Sequence, residues 1–242
     1  MKSNFRYDLS VEAEISKFID EYMYPLLGDS FARQFEKSQQ KKGIDVIFQQ
    51  NGNTMLIDDK CAFYYANKNL RTFTFELSYV NYGTPQMGWL LNPMMETTHY
   101  NIMWLNTKDK NCKPKEIKVE DIQDVEAMMI PKQNLLSYLD LLGYTLNQLE
   151  SLDAETRKSN TTRKRLTPHI ELLLSDNIPE KPINLKIDKT ELSKLAELHV
   201  KVTTNQLVNL KTKSIIKGNN QETINQPAGA QAERIVFRSD RA

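Results

Sequence analysis

Asp45 and the run Asp58-Asp59-Lys60 are residues whose types and spacing could do chemistry together. Residues two apart on a strand share a face, so Asp58 and Lys60 point one way and Asp59 the other. Between them, Asn51-Gly52-Asn53 is a hairpin signal, because Asn and Gly tolerate positive φ. Pairing through that turn brings Asp45 near the level of Asp58. Two carboxylates and an ammonium then converge at one end of a β-ribbon. Mg²⁺ takes oxygen ligands, keeps several waters and suits such a pair of acids. It polarises a phosphoryl group and favours hydroxide. A lysine beside the acids orients the attacking water and stabilises charge growing on the phosphorane. Glu76, on the polar face of an alternating segment Thr72–Tyr79, offers a further carboxylate. The simpler alternative is that Asp58-Asp59-Lys60 is the solvated end of a hairpin strand.

The elements that must position these groups are legible from periodicity. Val11, Ile15, Phe18, Ile19, Tyr22 and Leu26 recur at helical steps and predict one amphipathic helix over 9–27, stopped by Pro25 and Gly28. Residues 29–42 are polar and mixed, with a short helix expected through Phe31 and Phe35. Ile44–Phe48 and Thr54–Lys60 form the expected ribbon, and 61–70 a short helical or looped link. Thr72–Tyr79, Tyr100–Leu105 and Val125–Ile130 follow as strands. Helices are expected from Pro131 to Leu142, ended by Gly143, then over 145–152 and Thr190–Leu198. The polar, basic stretch 155–168 suggests a linker. Trp89, Trp104, Phe73 and Phe75 are expected in the core.

Composition narrows the possible functions. The 242 residues are 40% hydrophobic and 26% charged, enough for a real core. No apolar run reaches the roughly 18–20 residues of a membrane helix, and the N-terminus lacks a signal-peptide stretch. The two cysteines, Cys61 and Cys112, make no disulfide framework, so a cytoplasmic setting is expected. His99, His169 and His199 lack zinc-like spacing. Net charge is +1, divided as −2 over 1–100, −2 over 101–150 and +5 over 151–242. A long polyanion would therefore be held by local patches. Candidates are Lys41, Lys42, Lys68 and Arg71 near the acids in sequence. Arg163-Lys164-Arg165, close to Arg157-Lys158, is read first as an exposed linker and alternatively as a phosphate grip.

Asp45, then Asp58-Asp59-Lys60 on the next strand, after a helix bearing Glu12 and Glu14, resembles the PD-(D/E)XK nuclease superfamily, also called restriction-endonuclease-like. The stretches Gln40–Asp45, Asp58–Tyr65, Thr72–Ser78, Gly88-Trp89 and Thr98–Tyr100 look like an uncharacterised bacterial or mobile-element branch of it. The resemblance covers residues 10–107. It implies an α/β fold: a mixed central β-sheet flanked by helices over 1–152. The resemblance is silent about the C-terminal part, where composition and periodicity predict a basic linker and helical extension over 153–216 and a disordered tail over 217–242. It implies Mg²⁺- or Mn²⁺-dependent cleavage of DNA, by a chain that pairs with a second copy. Asp45, Asp58 and the Asp59 carbonyl would bind the metal, and Lys60 would be the catalytic lysine. Glu14, or alternatively Glu12, would be the helical acid. Ile44 stands where a proline often precedes the first aspartate, and Asp58 where glutamate is more frequent. A binding protein that keeps this core without turnover is the alternative function.

Overall fold

The computed structural model describes residues 5–216, so the expected tail over 217–242 lies outside the described residues. Helix α1 (Phe5–Tyr22) ends at Met23, and α2 (Tyr24–Leu27) starts afresh. The single helix expected over 9–27 is thus two. Pro25 cannot donate to the carbonyl four residues back and is tolerated only in a first turn, where it now sits. Residues 30–33 form strand β1 (Ser30–Arg33), and the short helix falls later, as α3 (Lys37–Gln40). The helix expected through Phe31 and Phe35 is therefore absent from both positions. Phe31 pairs with Phe48 on the next strand.

The hairpin forms as its turn dictates. Asn51 and Gly52 both take positive φ (50° and 76°), joining β2 (Val46–Gln50) to β3 (Asn53–Cys61) with Val46 opposite Ile57. A one-turn helix (Phe63–Tyr65) follows, then β4 (Thr72–Asn81) and β5 (Thr84–Met87). Next come β6 (His99–Thr107), β7 (Ile122–Pro131), α4 (Lys132–Leu141) and α5 (Leu146–Ser159). The chain continues through β8 (Arg163–Thr167), β9 (Ile170–Leu174), β10 (Ile183–Asp188) and α6 (Lys189–Leu195). It closes with β11 (Leu198–Val202), β12 (Leu207–Asn209) and β13 (Ser214–Ile216).

Two sheets result. The larger is mixed, in the order β1-β2-β3-β6-β7-β11-β12-β13, with β6 parallel to β3. The smaller is β5-β4-β10-β9-β8, antiparallel throughout. A parallel neighbour needs a crossover, and here β4 and β5 lie within it. One face of the large sheet packs α1 through Val11, Ile15, Phe18 and Ile19. Its other face meets the small sheet and α4–α6 through Tyr100, Ile102 and Trp104 against Phe75, Leu172 and Leu185.

Two expectations change. Residues 153–216 are six strands and α6 after the end of α5, where a linker and a helical extension were expected. Ile170, Leu172 and Leu174 alternate, as do Ile183, Leu185 and Ile187, and all six are buried in the shared core. β4 likewise belongs to the second sheet and pairs with β10, so it is no direct neighbour of the hairpin.

Candidate functional site

The carboxylates are set by backbone geometry. Asp45 stands one residue before β2, its N–H bonded to the Ile57 carbonyl at 2.8 Å. Its Oδ2 accepts the Asp59 N–H at 2.9 Å. The loop before it is tightly fixed: Gly43 has φ +71°, and a Cβ there would lie 2.5 Å from Thr97 Oγ1. Thr97 is buried and donates to the Gly43 carbonyl at 2.6 Å. Asp58 is 2% exposed and accepts from Lys60 Nζ at 2.5 Å. Because Val46 is paired with Ile57, Asp45 stands across the ribbon from Asp58, close enough for its charge to raise the Asp58 carboxyl. The Lys60 ammonium also stands 5.5 Å from the centre of the Trp89 ring, which packs against Tyr100 and Phe75.

These contacts crowd acids around one ammonium. Burial pushes the Asp58 carboxyl up to about 7; Lys60 pulls it down and Asp45 adds to the rise. Burial alone would lower the Lys60 ammonium, but Asp58, Asp45 and Glu12 more than offset this and hold it charged. Glu76 is also pushed up to about 7, by burial, against the pull of Lys60. Although β4 lies in the other sheet, Glu76 is close enough to feel the Lys60 charge. Glu12 is exposed on α1, with enough of the chain nearby to desolvate it in part. That partial desolvation, then Asp45 and Asp8, raise it against Lys60. Opposite Asp58 in the β3/β6 register is Tyr100. Its buried hydroxyl has no hydrogen-bond partner among the described residues.

The alternation expected along β3 holds. Asp59 points through the sheet to the α1 side, where it accepts from Arg33 (2.6 Å), Tyr24 (2.6 Å) and Asn101 (2.8 Å). Arg33 also holds Asp20. The Asp59 side chain is therefore part of a buried ion-pair network behind the site. On a strand a residue's N–H and C=O point to the same side, so the Asp59 carbonyl faces Asp45.

Of the two helical acids, Glu12 is the one that feels the charges of Lys60 and Asp45. Glu14 instead accepts from Lys17 (2.8 Å) and the Val119 N–H (3.1 Å), which lower its carboxyl. Val11 and Ile15 both face the core, and each residue turns a helix by about 100°. Glu12 and Glu14 thus flank the apolar stripe on opposite sides, and only packing selects between them.

The basic candidates divide. Lys41 and Arg71 are exposed, Lys42 pairs with Glu96 at 2.9 Å, and Lys68 stands 5.9 Å from the Tyr65 ring centre. Arg163 pairs with Glu171 at 2.7 Å and Lys164 with Glu155 at 3.1 Å, while Arg165 donates to the Pro168 carbonyl. Their strand β8 is three strands from β4 across the small sheet, about 14 Å by strand spacing. The lysine-rich segment 108–118 escaped the sequence reasoning. Five lysines against Asp109 and Glu116 were the available signal.

Among the described residues no group of three or more His, Cys, Asp or Glu side chains is placed to hold a metal ion. No helix among them is long and apolar enough to cross a membrane. No protein family, no curated protein and no solved structure matches the chain.

Proposed function

We propose that the protein is a Mg²⁺- or Mn²⁺-dependent nuclease that hydrolyses phosphodiester bonds in DNA, on a restriction-endonuclease-like core. The observation that carries this reading is the pairing of Asp45 with Asp58 under the Lys60 ammonium at the end of the β2/β3 ribbon. The donor set fits a hard cation. It is all oxygen, and its acids outnumber the single ammonium among them, an imbalance a divalent ion relieves. Magnesium is commonly held by one or two carboxylates, with waters and a substrate phosphate completing the shell, so a third acidic side chain is not required.

Asp45 and Asp58 would hold the ion, with the Asp59 carbonyl beside them. When bound, the ion supplies Lewis acidity and a more acidic water. Lys60, held between Asp58 and the Trp89 face, presents positive charge to the phosphate and stabilises the extra negative charge of the transition state. Glu12 stands at the solvent side, where it accepts a hydrogen bond from the attacking water. The Arg33–Asp59 network behind the sheet fixes the β3 backbone whose N–H holds Asp45.

Turnover tests this directly. Single-stranded and duplex DNA are incubated with Mg²⁺, Mn²⁺ or EDTA. The parent protein is expected to cut only with metal. Asp58→Ala and Lys60→Ala are each expected to lose at least about 100-fold in rate. Variants that cut as fast as the parent would remove the assignment. Metal-independent binding without cleavage on any DNA form would favour a non-cleaving DNA-binding protein.

A further inference from the structure

We infer that the substrate strand reaches this site unpaired, along a track of exposed tyrosines and lysines that begins directly after Lys60. This rests on the nuclease reading and names its substrate form as single-stranded DNA. The one-turn helix Phe63–Tyr65 follows β3 immediately, so the Tyr65 Cα lies within at most about 17 Å of the Lys60 Cα along the chain. Tyr64 and Tyr65 are 40% and 52% exposed, although their turn neighbour Phe63 is buried. The Tyr64 ring is stacked on Phe63 at 4.5 Å, and its hydroxyl is tied to Asp8 at 2.5 Å, so one ring face is fixed and the other is left to solvent. Its charged neighbours are Asp8 first and then Glu12, the acid that also acts on Lys60.

Cations stand on the Tyr65 side of the tyrosine pair, away from the acids beside Tyr64. Lys68 stands over one face of the Tyr65 ring, 5.9 Å from its centre, and Arg71 is exposed on the same connection. The lysine-rich segment packs alongside, its turn Pro114–Glu116 touching both Phe63–Tyr65 and α1. Lys110 donates to Asn67, Gln123 and the Thr107 carbonyl, all neutral, so its charge is not cancelled by these bonds. Over 108–118 the net charge is +3. Open aromatic faces stack on bases, and a basic groove follows the phosphates; together these are the means by which single strands are held without sequence preference. In a duplex the base faces are already stacked on one another, so the tyrosines would have nothing to stack on.

The test is fluorescence anisotropy of the full chain in EDTA, where nothing is cut, with a labelled oligothymidylate and with a duplex of equal length. Tighter binding of the single strand is expected. Tyr65→Ala is expected to weaken it roughly tenfold, the effect of losing one stacked base. The double variant Lys68→Gln/Arg71→Gln is expected to flatten the slope of log K against log salt by about 1.4, or 0.7 for each lost phosphate contact. Equal or tighter duplex binding, or an unchanged Tyr65→Ala, overturns the inference. Single-strand binding lost in Tyr65→Ala supports it, even if no DNA is cut with Mg²⁺, an outcome that removes only the nuclease reading. Metal-dependent cutting of duplex that is unaffected by Tyr65→Ala keeps the nuclease reading and removes this one.

Discussion

Asp58→Asn is expected to stabilise the protein above neutral pH while destroying its proposed chemistry. Asp58 is 2% exposed, and its carboxyl rises from 3.8 to about 7, through burial first and the charge of Asp45 as well. Below about pH 4 folded and unfolded chains both carry the proton, and ionisation costs nothing. As pH climbs from there, the folded chain keeps a proton the unfolded chain has released, so stability falls until the folded group titrates. Above about pH 7 the whole penalty is present, and a rise of about three pH units corresponds to roughly 4 kcal/mol. Asn has nearly the same shape and no charge. Its Oδ1 still accepts from Lys60, and its amide donates to Asp45, where two carboxylates had repelled. Urea denaturation in EDTA at several pH values measures the difference. The variant's gain is expected to be near zero at about pH 4 and on the order of 4 kcal/mol at about pH 8. A variant less stable than the parent at the higher pH, or a gain independent of pH, would refute the reasoning. The same charge excess predicts that Mg²⁺ stabilises the parent by about 2.7 kcal/mol at a hundred times its Kd, and the Asn variant far less.

Three further predictions concern what supports the site. Arg33→Leu strands the Asp59 carboxylate, whose side chain is 7% exposed, and is expected to cost about 3–5 kcal/mol; adding Asp59→Leu is expected to recover much of it, read as denaturant midpoints. Gly43→Ala forces a Cβ against Thr97 at positive φ; the expected loss is about 1–3 kcal/mol, with cleavage reduced because Asp45 moves. Leu185→Ala, at a fully buried β10 position facing the β4 and β6 side chains, is expected to cost about 2–5 kcal/mol in a single cooperative transition. Two separate transitions would show that residues 163–216 do not share that core.

The amino-acid sequence by itself determined the local geometry. The Asn51-Gly52 turn set the register that brings Asp45 beside Asp58, and the two-residue alternation of a strand sent Asp58 and Lys60 to one face and Asp59 to the other. The apolar stripe placed α1 against the sheet in the same way. These are short-range properties, fixed by backbone stereochemistry within a few residues. Only the tertiary structure decided which distant segments came together. β4 has the alternation of any half-buried strand, and nothing local states that β10 is its partner and β3 is not. The strands after α5 were hidden for the same reason: β8 is polar and basic because it lies at a sheet edge, and polarity alone resembles a linker. Glu12 and Glu14 are equivalent on the helix itself, and the choice between them depends on which edge of the apolar stripe turns toward Lys60. Arg33 became a partner of Asp59 only once β1 and β3 lay in one sheet. Strand partners and helix facing are set by the packing of the whole core, whose contacts join residues far apart in the chain.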